Sequence, residues 1–288
     1  MTQHEPGNDY PLSEVPQHAR KGLASMAMVL LGFTFFTATM FAGGKLGVAF
    51  DFTTLLVVIL VGNLLLGIYA ASLGYIAFKS GLNTVLMGRF CFGERGSKLS
   101  DLILGFTQIG WYAWGTATAA VVLGKYFQLD PGAVLGLMLL FGMAFCATAY
   151  IGYRGLEILS WIAVPAMGLL LLLSMWVATR QIGGLDGLLG VTPSASLDLS
   201  SAITLVFGTF VSGATQATNW TRFSRSARVA VSASLIGFFI GNGLMVLIGA
   251  YGAIVYQQPD VVEVLLLQGF AMAAMAMLLL NIWSTQDN

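Results

Sequence analysis

Charge is what this sequence has least of. Lys, Arg, Asp and Glu together supply 9% of its 288 residues, where a soluble domain carries about 25%. Histidine occurs only at His4 and His18, both in the polar stretch before Lys21, so no imidazole is available within an apolar segment. Cysteine occurs only at Cys91 and Cys146, in different segments, which forms no metal or redox motif; both read as small apolar side chains. The net charge is zero, and no basic footprint for nucleic acid remains. No His–Glu metal pair, aspartate dyad or Ser–His arrangement stands out, so an intramembrane enzyme is disfavoured. Met1 to Lys21 is polar, carries Pro6, Pro11 and Pro16, and has no apolar core for a signal peptide.

What is present in quantity is apolar length. Hydrophobic residues make up 57% of the chain and the mean hydropathy is +0.82. Runs of roughly 20 apolar residues recur, enough to cross the hydrocarbon core of a bilayer. The pattern predicts an all-α polytopic membrane protein, with segments at roughly 23–49, 52–78, 98–126, 131–151, 155–179, 199–221, 229–256 and 262 to the end. With the amino terminus inside, inner loops hold Arg20, Lys21, Lys79, Arg89, Arg95, Lys98, Arg154, Arg222, Arg225 and Arg228, against Lys45, Lys125 and Arg180 outside. The positive-inside rule therefore places the amino terminus in the cytoplasm. The loop from Lys79 to Lys98 is long enough for a short surface helix. The glycine-rich loop from Thr179 to Leu197 reads as a connector.

Two segments are interrupted. Val206 to Asn219 reads V-F-G-T-F-V-S-G-A-T-Q-A-T-N, and its glycines and hydroxyls suit a lipid-facing helix poorly. Irregular backbone in hydrocarbon survives only where it is buried in protein or lines a cavity. Close packing of small residues is the alternative. The earlier stretch L-G-F-T-F-F-T-A-T, Leu31 to Thr39, matches it at Gly32/Gly208, Ala38/Ala214 and Thr39/Thr215. The following segments also correspond, one carrying Gly62-Asn63 and the other Gly241-Asn242. The glycines lie 30 residues apart in one copy (Gly32 to Gly62) and 33 in the other (Gly208 to Gly241). Paired interrupted helices in corresponding positions point to a transporter built from repeats. The expected organisation is a tail over 1–22, a first five-helix repeat over 23–179, and the start of a second over 199–288. L-L-L-N-I-W-S-T-Q-D-N at the end reads as a segment still in progress, so the expected second repeat is truncated within helix 8.

Several side chains could carry a ligand. Gln108, Trp111, Tyr112 and Gly115 share one helix face. Gln108 lies too deep for easy solvation, so its amide needs either a neighbouring helix or a polar ligand. An amide beside an aromatic plane suits a flat heterocycle, through stacking and paired donor and acceptor. Asn281, Ser284 and Thr285 also share a face. Their oxygens, near unwound carbonyls of the first segment, could hold sodium; hydroxyls bonding back to their own helix are the alternative. Among the acidic residues only Asp287 falls inside a segment rather than in a tail, loop or segment end. Proton-driven carriers place ionisable groups in the membrane, so neutral oxygens around sodium are the expected coupling device. No basic residue lies deep in a segment, which favours a neutral polar substrate.

The stretches P-Q-H-A-R-K-G (16–22), L-G-F-T-F-F-T-A-T-M (31–40), V-G-N-L-L-L-G-I-Y (61–69), G-R-F-C-F-G (88–93), T-Q-I-G-W (107–111), W-I-A-V-P-A (161–166), G-G-L-D (183–186) and L-N-I-W-S-T-Q-D-N (280–288) resemble the nucleobase–cation symporter family. The resemblance implies a leucine-transporter-type 5+5 inverted repeat in a bacterial inner membrane, importing cytosine or a related nucleobase with sodium by alternating access, as a monomer. It implies that Trp111 and Phe210 sandwich the base. Gln108, Ser212, the backbone around Thr209, and Asn281 would hold its edge. Sodium would sit among the carbonyls of Gly32, Phe35 and Asn281 and the hydroxyls of Ser284 and Thr285, with no other cofactor. Thr209, Ser284 and Gln286 stand where the resemblance leads one to expect serine, threonine and asparagine, and Asn219 where it leads one to expect aspartate. A sodium-coupled carrier of a small zwitterion on the same fold is the alternative. A passive channel or a non-transporting receptor is the alternative of another class.

Overall fold

The computed structural model describes residues 10–146 and 153–284, with side chains described as far as Asn281. Several of its helices begin at side-chain caps. Asp51 accepts from the amides of Thr53 and Thr54 at 3.1 and 3.0 Å and starts α3, Phe52–Ser80, which follows α1, Leu23–Thr34, and α2, Ala38–Gly47. Gly81, at φ +69°, ends α3 in the left-handed conformation that glycine adopts without a Cβ penalty. Asn83 accepts from the Leu86 amide at 2.9 Å and starts α4, Thr84–Phe127. Gly93, at φ 68° and ψ 179°, interrupts α4. The stretch before it is the short helix expected in the 79–98 loop, and it leaves Phe90 and Phe92 exposed. Asp130 caps α5, Pro131–Ala144, with proline at the first helical position, where no amide is needed.

After α6, Tyr153–Gln181, a short α7, Gly184–Leu189, lies within the connector. The connector docks on the first span, because the Ser194 and Ala195 amides both donate to the Val48 carbonyl at 2.9 Å. Asp198 then caps α8, Leu199–Gly208, followed by α9, Val211–Gln216, and the single turn α10, Thr218–Thr221. Ser226 caps α11, Ala227–Ser234, which runs through a π-helical turn, Leu235–Gly241, into α12, Asn242–Tyr256. Asp260 caps α13, Val261–Leu267, and α14, Ala271–Ser284, is the last described helix.

Among the described residues three helical stretches are long and apolar enough to cross a membrane: Phe52–Ser80, Tyr153–Gln181 and Ala227–Leu267. The pair α1–α2 makes a fourth, bent by 66°. Pro131–Ala144, Leu199–Gly208 and Ala271–Asn281 are apolar but shorter. All three belong to expected spans that run on past a break or beyond the described residues. Leu60, Ile68 and Leu169, more than half exposed, form part of the apolar outer surface that lipid would cover.

Both expected interruptions are real breaks. At the first, Phe35 leaves helical geometry at ψ 70° and the Phe36 amide turns to the Thr34 carbonyl at 2.8 Å. The Thr34 hydroxyl donates back to Leu30 and Leu31 at 3.0 and 3.3 Å, competing with the helical ladder. At the second, Phe210 stands at φ −136° and ψ 16°, and the Thr209 hydroxyl donates to the Val206 carbonyl at 2.6 Å. A hydroxyl bonding to the preceding turn accompanies the break in each case.

The corresponding Gly-Asn pairs pack alike on the broken helices. A Cβ on Gly62 would stand 2.6 Å from Val206, in α8; one on Gly241 would stand 2.5 Å from the Thr34 hydroxyl and 2.9 Å from Leu31, in α1. Elsewhere α2 lies directly on α12. Added Cβ atoms on Gly43 and Gly249 would strike the backbone of Val246 and Met40 respectively, so the two helices meet main chain to main chain.

At the opposite end of the broken helices, the Lys21 amide donates to the Phe223 carbonyl at 2.5 Å and the Arg225 amide to the Lys21 carbonyl at 2.9 Å. This is a parallel bridge between the tail and the chain after α10. Lys21 also pairs with Glu157 at 3.2 Å.

Candidate substrate and ion site

The two breaks leave a cavity of about 450 Å³ between the halves α2 and α8 and the middle of α4. Thr39, Ala42, Trp111, Trp114, Gly208 and Thr209 are among its walls, and Lys45 lies at its rim. Away from the cavity the bundle is sealed by aromatic rings. Phe33 packs on Trp220 with centroids 4.5 Å apart, and on Phe210 at 5.2 Å. An added Cβ on Gly213 would meet Phe33 at 2.8 Å. Lys45, exposed, is among the cavity's lining residues, and the Phe33–Trp220 packing lies towards the tail.

Of the residues expected to bind substrate, Trp111 and Thr209 line this cavity. Gln108 is one turn from Trp111 on the same face of α4, only 7% exposed. Neither its Oε1 nor its Nε2 has a hydrogen-bond partner among the described residues. A buried amide left so costs about 1–3 kcal/mol, and such groups in native proteins are few. Gln108 is not itself among the residues that line the cavity; a polar ligand that reached this face of α4 beyond Trp111 would satisfy both atoms. Phe210 is 4% exposed and does not line the cavity; it packs edge-on against Phe33 and Phe36. Phe36 is also edge-on to Trp111 at 6.0 Å, so one ring links the two expected aromatic walls. Ser212 is half-buried in the first turn of α9, a helix start that no side chain caps. Asn281 is buried in α14.

The expected sodium ligands divide between described and undescribed residues. Gly32 and Phe35 are both buried at the first break. The Phe36 amide, which would close a helical turn on the Gly32 carbonyl, goes to Thr34 instead. The Thr39 amide, due at Phe35 by the same rule, goes to the Phe36 carbonyl at 3.2 Å. The Gly32 carbonyl has thus lost its helical donor, which is the local chemistry a hard cation needs. The side chain of Ser284 and the whole of Thr285 lie outside the described residues, as do Gln286 and Asp287.

Three features of the site were not singled out from the sequence. Thr39 lines the cavity 2% exposed, with a hydroxyl that has no partner among the described residues. It stands out in the sequence only as a repeat match. Trp114, one turn beyond Trp111, adds a second indole and is edge-on to Phe36 and Phe41. Asn242 donates to the Thr209 hydroxyl at 2.9 Å from outside the cavity.

Comparison with known proteins gives this arrangement its relatives. The family described as permease for cytosine/purines, uracil, thiamine, allantoin matches residues 14–286. Cytosine permease of Escherichia coli strain K12 is 42% identical over 281 residues, covering 98% of this chain and 66% of its own length. The cytosine permease of E. coli O157:H7 matches to the same extent. The chain thus spans just under two thirds of the length of these relatives. Among solved structures, Mhp1, a nucleobase-cation-symport-1 family transporter in a closed conformation with bromovinylhydantoin bound, superposes with a TM-score of 0.83 at 16% identity. That match covers 99% of this chain and 66% of Mhp1. The inward-facing conformation of Mhp1 gives 0.81 at 18% identity, covering 95% and 64%. The fold is of the leucine-transporter type, as the resemblance implies. By the extent of the family match, the chain belongs to the permeases for cytosine/purines, uracil, thiamine and allantoin.

Proposed function

We propose that this protein imports cytosine, or a closely related nucleobase, together with sodium by alternating access. The observation that carries the reading is Gln108: a buried amide whose donor and acceptor have no partner among the described residues, one helical turn from Trp111, an indole that lines the cavity between two broken helices. A pyrimidine presents an adjacent donor and acceptor on one edge and a flat face for stacking, which matches that pair. The names of the relatives point the same way.

In this reading the base stacks on Trp111, with Phe210 as the second wall once Phe36 moves. Gln108, Ser212, the backbone at Thr209, and Asn281 hold its edge. Sodium takes the carbonyls of Gly32, Phe35 and Asn281 and the hydroxyls of Ser284 and Thr285. Sodium supplies positive charge that ties α1 to α14, and so favours the form that accepts the base. Among the described residues, the Gly32 carbonyl at the first break, which the Phe36 amide has left for Thr34, supports that ion reading. The tail lies on the cytoplasmic side of a bacterial inner membrane, so the cavity faces outward, and the protein works as a monomer with lipid around it.

The test is uptake of labelled cytosine by cells expressing the complete gene, with and without sodium, and with Trp111→Ala beside the unaltered protein. Saturable uptake that needs sodium, is blocked by uracil or 5-fluorocytosine but not by amino acids, and is lost in Trp111→Ala is the expected result. Competition by amino acids would replace the nucleobase with a zwitterion. Unsaturable flux would mean a channel, and binding without flux a receptor. Indifference to sodium would remove the ion assignment alone.

A further inference from the structure

The Gly-Asn pairs that mark the two repeats have a purpose that the substrate and ion sites leave unused. Asn63, in α3, is 1% exposed and Asn242, at the start of α12, is wholly buried. They stand at corresponding positions of the two repeats and bond to each other. The Asn242 Nδ2 donates to Asn63 Oδ1 at 2.8 Å and to the Thr209 hydroxyl at 2.9 Å. Asn63 is itself fixed, since its Nδ2 donates to the Ile59 carbonyl at 2.8 Å. Thr209 passes its own proton to the Val206 carbonyl at 2.6 Å. The result is a network that branches from Asn242: both of its amide protons are used, one towards the core of α3 and one towards the break in the helix that lines the cavity. Asn242 Oδ1 has no partner among the described residues. The amide is thus held for what it donates.

We infer that Asn242, oriented by Asn63, is a positioning residue for the cavity. It pins the Thr209 hydroxyl away from the ligand and so fixes which backbone groups of the break face the edge of the base. Thr209 then contributes main chain rather than side chain to recognition. A hydroxyl freed from Asn242 can rotate, offering a donor or an acceptor at will, and discrimination between bases with opposite edge patterns falls. The chain of hydrogen bonds stands on the geometry alone; its effect on selectivity rests on the nucleobase reading above.

The test has two readouts, both on the complete gene product. In the first, the ratio of the KM for cytosine to the inhibition constant for uracil is measured. Asn242→Ala and Thr209→Val each change that ratio by about five-fold, the effect of one hydrogen bond. The double variant changes it no further, and Thr209→Ser, which keeps the oxygen, behaves as the unaltered protein. In the second, amide hydrogen exchange over residues 207–213 is followed in detergent without ligand. It accelerates in Asn242→Ala and in Asn63→Ala, but not in Thr209→Ser. Additive single effects, an unchanged ratio in Asn242→Ala, or unchanged exchange in both asparagine variants would overturn the positioning role. Faster exchange in a protein that takes up no nucleobase would uphold the chain of hydrogen bonds and sink the transporter reading instead.

Discussion

At the scale of single residues, the site is marked by buried polar groups that have no partner among the described residues. Gln108 was legible in the sequence, because an amide two turns inside an apolar helix must answer to something. The structure sharpens this by leaving both ends of the amide open. One consequence separates function from stability. Gln108→Leu removes an unsatisfied buried amide while keeping most of its volume, so it should raise stability without ligand by about 1–3 kcal/mol and abolish cytosine uptake. Thermal unfolding in detergent, compared with uptake, checks both halves. A Gln108→Leu protein that melts lower would show that the amide has a structural partner. Thr39 and Asn242 were not legible in these roles. Each is an ordinary small polar residue of an apolar span, and its meaning comes from a helix far along the chain. Asn242 meets Thr209 only because α12 and α8 are brought together, and no local spacing encodes that.

At the scale of elements, the breaks could be read from composition, whereas their packing could not. Glycine and threonine in L-G-F-T-F-F-T and F-G-T-F-V-S-G announced irregular backbone, and the threonine hydroxyls turn out to bond to the preceding turn at both breaks. The contact of α2 with α12 rests instead on glycines that look unremarkable in sequence. Gly249 admits no Cβ because the Met40 backbone occupies its place, whereas nothing lies within 4 Å of a Cβ on Gly105. Gly249→Val should therefore destabilise the protein by about 3 kcal/mol, at the upper end for overpacking, and Gly105→Ala should be tolerated. Size-exclusion profiles of the two variants in detergent check this. A monodisperse, fully stable Gly249→Val protein would contradict the close approach of the two helices. The same logic explains the expected spans that fall short here. A broken helix yields two short pieces, and α8 and α9 are the two halves of one predicted segment.

At the scale of the whole molecule, the cavity and the chain beside the tail differ in access. Thr204 lines the cavity and is exposed, whereas Thr221 is wholly buried beside the tail bridge. A membrane-impermeant thiol reagent applied to whole cells should label Thr204→Cys and spare Thr221→Cys, and added cytosine should protect Thr204→Cys. Labelling of Thr221→Cys alone would reverse the orientation and the side on which the cavity opens. The positive-inside pattern predicts that orientation from loops alone, but which side is open depends on aromatic contacts such as Phe33 with Trp220, which join opposite ends of the sequence. The expected two-fold organisation was legible from the Gly-Asn pairs, since a repeat leaves its mark at matching offsets. The mutual bond between Asn63 and Asn242 was hidden, because similarity of two positions does not say that they touch.

The bridge between Lys21 and Phe223–Arg225 has a bearing on biosynthesis. The tail leaves the ribosome first, yet its partner strand follows some two hundred residues later. At roughly 5–20 residues per second the early spans wait on the order of ten seconds or more before the segment that closes on the tail exists. Only then can Trp220 and Phe223 pack against Phe33 and Tyr153, so this end of the bundle is assembled late.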